Sequence, residues 1–395
     1  MDWVWLIFVF IVGSCVGSFL NVVIYRLPLG QSIVFPSSHC PRCGRAIRWY
    51  DNIPLLSWLV LRARCRFCKA PISSRYPLIE LSTALLAAGL YAAYFMLDLR
   101  TGVGSFTNDW PMFVAHAVLL AGLLACSAVD VEHWIVPLEV CWFVALVGAA
   151  SATAAPHPIM PMVSPVIGAA AVGTLVGLVV GLLMRRYGLI QDSFIDARER
   201  VELEPPKKGK PDQPGRIKAV AFTKAHGVNP RREMLRELTL LLPAIVLGVV
   251  AVVLVLKVAP VGAWWNSLLS AREHPRLAGH LRGGLSSAWG FIVGGGLVWL
   301  VRILGTLAFG KEAMGRGDVH IMCAVGAVTG WLVPVLAFFI APFFGLLWAL
   351  YLLAGRNQRE LPYGPWLAVG TAVVMIFHDG LVDFLGFYSQ IVAGR

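Results

Sequence analysis

Residues Trp3–Tyr25 read WVWLIFVFIVGSCVGSFLNVVIY, an unbroken stretch without an acid or a base. About 20 such residues let an α-helix cross the ~30 Å hydrocarbon core of a bilayer with every backbone polar group bonded inside the helix. The leading end carries Asp2 and no basic residue, so this run is expected to remain on the mature chain rather than serve as a cleaved signal. Working outward, nine further apolar runs follow, near 77–97, 110–129, 136–155, 163–184, 238–258, 287–309, 319–334, 335–354 and 366–387. Trp331-Leu-Val-Pro334 makes either a hairpin or a kink between the eighth and ninth. Of 395 residues, 58% are hydrophobic and 14% charged, which excludes an ordinary soluble domain. The expected fold is an all-α polytopic membrane bundle of about 8–10 spans carrying a small cytoplasmic loop with four cysteines.

The net charge of +11 is concentrated in loops. Between Tyr25 and Pro77 lie Arg26, Arg42, Arg45, Arg48, Arg62, Arg64, Arg66, Lys69 and Arg75 against the single acid Asp51. The positive-inside rule places this loop in the cytoplasm and the amino terminus outside. Counting spans then puts 185–237 inside as well, a stretch with Arg185, Arg186, Lys207, Lys208, Lys210, Arg231 and Arg232, and 259–286 outside. Residues 201–216, rich in Pro, Lys and Gly, read as a flexible linker. Four regions are expected: 1–100 with the first span, the Cys loop and the second span; 101–184 as a bundle; 185–286 as a basic linker with an extra span; and 287–395 as a second bundle.

Cys40-Pro-Arg-Cys43 and Cys65-Arg-Phe-Cys68 are two C-x-x-C pairs at a spacing that lets two turns surround one tetrahedral metal. In a reducing compartment structural zinc on Cys40, Cys43, Cys65 and Cys68 outranks disulfides. His39 gains no role beside a complete thiol set. Cys15, Cys126, Cys141 and Cys323 lie in or beside apolar runs and are expected to be small buried side chains.

An ionisable group at the rim of a span marks a functional position unless it is paired. Asp130, in Ser127-Ala-Val-Asp130, closes the third run, and Asp318, in Gly315-Arg-Gly-Asp318, opens the eighth. The span count sets both at the cytoplasmic ends of their helices. Gly315 and Gly317 would let another backbone approach the second acid. Two neighbouring carboxylates sharing one proton suit acid and base catalysis of peptide hydrolysis; taken singly, each acid is better read as a helix cap or a group snorkelling to the interface. Glu80, Glu132, Glu139, His116, His133, His320 and Asp379 are weaker candidates. Glu80 is expected to pair with Arg75, Asp379 to lie at the face opposite the two acids, and His116 to be a hydrogen-bonded packing residue.

Gly17-Ser-Phe-Leu-Asn through Pro28, the two cysteine pairs around Trp49-Tyr-Asp-Asn-Ile-Pro, and Ser74-Arg-Tyr-Pro-Leu-Ile-Glu80 together resemble the bifunctional type IV prepilin peptidases. Gly315-Arg-Gly-Asp318, Asp130 through Pro137 and Leu361-Pro-Tyr-Gly-Pro365 resemble that family's two aspartate motifs and its carboxy-terminal motif. The resemblance implies cleavage of a basic leader from prepilins or pseudopilins at the cytoplasmic face of the inner membrane, with Asp130 and Asp318 catalytic. It further implies methylation of the new amino terminus from S-adenosylmethionine, at a site it does not locate, and no nucleic-acid partner. Residues 156–286 have no counterpart in the resemblance, Leu138 stands where an acid is common, and His320 where Lys is common. A presenilin-like protease would share G-x-G-D without the cysteine loop; a non-catalytic scaffold or transporter subunit would not need both acids.

Overall fold

The computed structural model describes residues 2–190, 230–353 and 362–392; the linker 201–216 and Leu361 lie outside the described residues. Helices form where the apolar runs stood. They are α1 (Asp2–Arg26), α2 (Leu56–Val60), α3 (Arg75–Phe95), α4 (Phe106–His133), α5 (Leu138–Ala154), α6 (Pro165–Arg186), α7 (Pro230–Lys257), α8 (Ala259–Leu268), α9 (Pro275–Phe309), α10 (Arg316–Thr329), α11 (Leu332–Leu353), α12 (Gly364–Ile376) and α13 (His378–Val392). Among the described residues no strand forms, and the only bridges, His39 with Ala46 and Arg64 with Pro71, lie in the Cys loop.

Seven of these helices are long and apolar enough to cross a membrane, or eight if α12 and α13, bent by 80° at their junction, count as one span. The protein is therefore a multi-pass membrane protein. The shortfall from ten has two sources. α5 and α10 are only 17 and 14 residues long, and the last run, expected as one helix, breaks at Phe377. The doubtful stretch at Trp331 is a hairpin: α10 stops at Gly330, whose φ of 81° no other residue adopts easily, and α11 begins at Leu332. α7 starts at Pro230 and α9 at Pro275, both earlier than the hydropathy implied, because amphipathic polar turns extend them.

α10 is the axis of the bundle. Asp318, Val319 and every residue from Ile321 to Thr329 are buried, so this helix has no solvent or lipid face. It packs against α4, α5, α9, α11 and α12, with Leu119, Met322, Val325 and Leu367 fully enclosed between them. Gly290 of α9 and Gly326 of α10 meet backbone to backbone, and a side chain on either would collide with the other's carbonyl. Gly294 of α9 lies beside Met322, yet α9 runs on to Phe309, overshooting the start of α10 by ~14 Å at 1.5 Å per residue. Asp318 thus opens a helix recessed within a longer neighbour.

Candidate active site

Asp130 sits near the last turn of α4. Trp134 ends that helix in the left-handed region (φ 59°) with its N–H on the Asp130 carbonyl at 2.9 Å, which turns the chain back toward Pro137 and α5. Asp318 is the third residue of α10, whose N-cap is Gly315. The Gly315 amide faces its carboxylate, the position from which the third residue of a helix can cap the N-terminus. Capping leaves an acid further acceptor positions. Both acids are only 7% exposed, and the two carboxylates are close enough to act on one another electrostatically. The helix N-terminus favours the charge at Asp318.

Two glycines close the approach. A Cβ on Gly317 would run into the Val136 side chain, so the chain after α4 lies directly on the start of α10. A Cβ on Gly364, at the start of α12, would sit 2.7 Å from Asp130 Oδ2 and 3.4 Å from Ile321, and the Gly364 amide faces the Asp130 carboxylate. The segment Pro362–Pro365 therefore belongs to this site. Its resemblance was legible in the sequence, but its place beside Asp130 was not, because more than 200 residues separate them.

A buried ionic network braces the other side of Asp318. Arg302 of α9 is 0% exposed and reaches Glu237 of α7 at 3.2 Å, Glu312 at 2.6 Å and the Met314 carbonyl. Arg316, two residues before Asp318, reaches the same Glu237 at 3.0 Å, and Trp299 donates to it at 2.9 Å. Sequence reading missed Glu237 because it placed residues up to 237 in a loop. The signal available was the i, i+4 pair Glu233 and Glu237 in the charged turns that lead straight into an apolar run.

The weaker candidates divide. Arg75 binds Glu132 through both carboxylate oxygens at 2.5 and 2.7 Å, so the expected Arg75–Glu80 pair is replaced; Glu80 accepts the Leu55 amide at 2.7 Å instead. Asp379 meets Arg100 at 3.4 Å, at the far end of α4 from Asp130, as expected. His116 is buried and shares a hydrogen bond of 3.0 Å with Tyr94. His133 lies 3.7 Å from Glu132, and the His320 ring lies against Trp142. Glu139 occupies the first turn of α5.

In the Cys loop the sulfur atoms of Cys40, Cys43, Cys65 and Cys68 all lie within 4.8 Å of one another. Two matching turns bring them there. Cys40 N–H donates to Arg45 O and Gly44 N–H to Cys40 O; Cys65 N–H donates to Ala70 O and Lys69 N–H to Cys65 O. The fourth residue after each leading cysteine, Gly44 (φ 67°) or Lys69 (φ 59°), makes the left-handed bend. Amides of Cys68 and Phe67 aimed at Cys65 lower its thiol to about 7. His39 bonds to Ser37 O and stands apart. Cys126, Cys141 and Cys323 are buried as expected; Cys15 is exposed on α1, because that helix turns this face outward.

Residues 11–94 match the model of the bacterial peptidase A24 N-terminal domain. The prepilin leader peptidase/N-methyltransferase of Stutzerimonas stutzeri is 25% identical over 93% of this chain and 89% of its own length. The chain is a relative of the prepilin leader peptidases. The Myxococcus xanthus prepilin leader peptidase/N-methyltransferase is 53% identical over 134 residues, 34% of this chain and 36% of that protein. The type 4 prepilin-like proteins leader peptide-processing enzyme of Escherichia coli O78:H11 is 41% identical over 146 residues, 32% of this chain and 48% of that one. These two prepilin peptidase alignments cover less than half of the curated relatives' length. No solved structure matches.

Proposed function

We propose that this protein is a membrane aspartyl endopeptidase that removes the basic leader from type IV prepilins or pseudopilins, with Asp130 and Asp318 as its catalytic pair. The observation that carries the reading is the convergence of two buried carboxylates, from the end of α4 and the start of α10, under a side-chain-free Gly364. One carboxylate takes a proton from water as the water attacks the scissile carbonyl. The other, protonated, donates to the carbonyl oxygen, and a proton then passes to the leaving amine. The basic loops favour a cytoplasmic position for this end of the bundle in an inner membrane, where a Lys/Arg-rich leader would be retained.

The zinc reading rests on the four thiols themselves. Tetrahedral zinc with ~2.3 Å bonds to sulfur sets sulfurs ~3.8 Å apart, and Cys40 and Cys68 stand 3.8 Å apart. The four thiols fit structural zinc, which would tie the two turns together and supply no reaction step. N-methyltransferase activity is proposed from the relatives' printed names; the new amino terminus as acceptor and S-adenosylmethionine as donor follow from the sequence resemblance, with no residue of this chain assigned to the donor. The test is a prepilin cleavage assay at matched expression. Asp130→Asn and Asp318→Asn each remove a charge with little change of shape, and each is expected to abolish cleavage while leaving the protein folded in the membrane. Substantial cleavage by either variant overturns the assignment.

A further inference from the structure

The shortest helix leaves an apolar edge uncovered. Leu56, Leu59 and Val60 of α2 are 59%, 64% and 74% exposed, and their i, i+3, i+4 spacing sets them on one side of a single turn. In a loop facing water such a patch lacks cover. The depth of α2 is fixed by its first contact. Leu55 N–H donates to Glu80 Oε2 at 2.7 Å, and Glu80 is five residues into the membrane-crossing α3, ~7.5 Å along its axis at 1.5 Å per residue. Glu80 is also pressed against α1, where a Cβ on Gly17 would lie 2.6 Å from Glu80 Cα. Gly17 precedes the basic end of α1, Arg26, by more than two helical turns. Even with its carboxylate stretched toward the start of α3, Glu80 holds α2 level with the ends of both spans. Charge agrees with that depth. Arg62 and Arg64, both exposed, follow α2 at once, and the loop's one acid, Asp51, is already bound by Arg66 at 2.6 Å.

We propose that α2 is an interfacial anchor: Leu56, Leu59 and Val60 enter the acyl boundary of the leaflet on the Cys-loop side, and Arg62 and Arg64 bind the phosphates of anionic lipids there. Apolar insertion beside a basic flank is the pattern of segments that lie in a membrane surface. A protein segment with a basic flank would meet repulsion from the same arginines, which favours lipid as the occupant. The anchor rests on the membrane spans of α1 and α3 and holds whether or not the chain is a peptidase.

The test uses the full chain in nanodiscs of phosphatidylcholine with phosphatidylglycerol. A nitroxide is attached through p-acetylphenylalanine replacing Leu59, with a second label at Val60 and a reference label at Ala46. Collisions with oxygen are expected to exceed those with a nickel chelate at 59 and 60, and the order to reverse at 46. Nickel access at 59 and 60 would put α2 in water, and shielding from both reagents would show protein as the cover; either result overturns the anchor. Arg62→Gln with Arg64→Gln, or discs of phosphatidylcholine alone, are expected to shift both positions toward nickel. Unchanged depth in both overturns the anionic-lipid assignment.

Discussion

Gly364 is the residue whose role depends most on having no side chain. A methyl group there would stand 2.7 Å from Asp130 Oδ2, closer than carbon and oxygen tolerate, so either the acid or the start of α12 must move. Misplacing a catalytic group by ~1 Å can cost ~100-fold in rate. Gly364→Ala is therefore expected to lower kcat for leader cleavage by about that factor with unchanged thermal stability in detergent; wild-type turnover in the variant would remove Gly364 from the site. Glu237 makes a different case, since it faces two arginines and one of them is wholly buried. Removing one partner of a buried ion pair costs ~3–5 kcal/mol. Because Arg302 keeps Glu312, Glu237→Gln is expected at the low end of that range, read as a lower melting temperature. An unchanged melting temperature would mean the network carries no net stability.

Among the elements, the Cys loop shows how local pattern becomes a site. The two C-x-x-C pairs are short enough for each turn to form from its own backbone bonds, so the sequence alone indicated the cluster. Purified protein is expected to hold about one zinc per chain, lost on Cys40→Ser or Cys65→Ser, as measured by metal analysis in the absence of added metal. The pH dependence has a definite sign. Zinc binds thiolate, and the Cys65 thiol titrates at about 7 under the Cys68 and Phe67 amides; as pH falls through that value protons compete with the metal. Zinc retention against a fixed competing chelator is expected to be high at pH 8 and to fall below 7. Retention independent of pH across this interval would count against thiolate ligation by Cys65.

For the whole molecule, the helices alternate in direction, so the ends of α1, α4, α6, α9 and α11 and the starts of α3, α7, α10 and α12 share one face. Contacts between Arg75 and Glu132, Glu237 and Arg316, and Gly364 and Asp130 tie that face together. By the positive-inside rule we propose that this face, which carries the basic Cys loop, is the cytoplasmic one. Tyr187→Cys, just beyond α6 and well exposed, is accordingly expected to react with an impermeant maleimide only after permeabilisation, and Trp264→Cys on intact cells; the opposite pattern would invert the topology.

The sequence by itself determined which segments are helices that enter a membrane, which two acids stand at helix ends, and which four thiols cluster. Hydropathy, end position and short spacing are local, and each is written in a few adjacent residues. Only the tertiary structure decided what those residues meet. It joined Gly364 to Asp130, gave Arg75 to Glu132 rather than Glu80, and brought Glu237 to Arg302 and Arg316. It also exposed Cys15, broke the last span at Phe377 and enclosed a 14-residue α10 at the centre. The physical reason is that partner choice between helices depends on how far apart their backbones pack and at what depth each begins. Small residues far apart in the chain, such as Gly290 and Gly326, set those distances, and no single segment records the other's position.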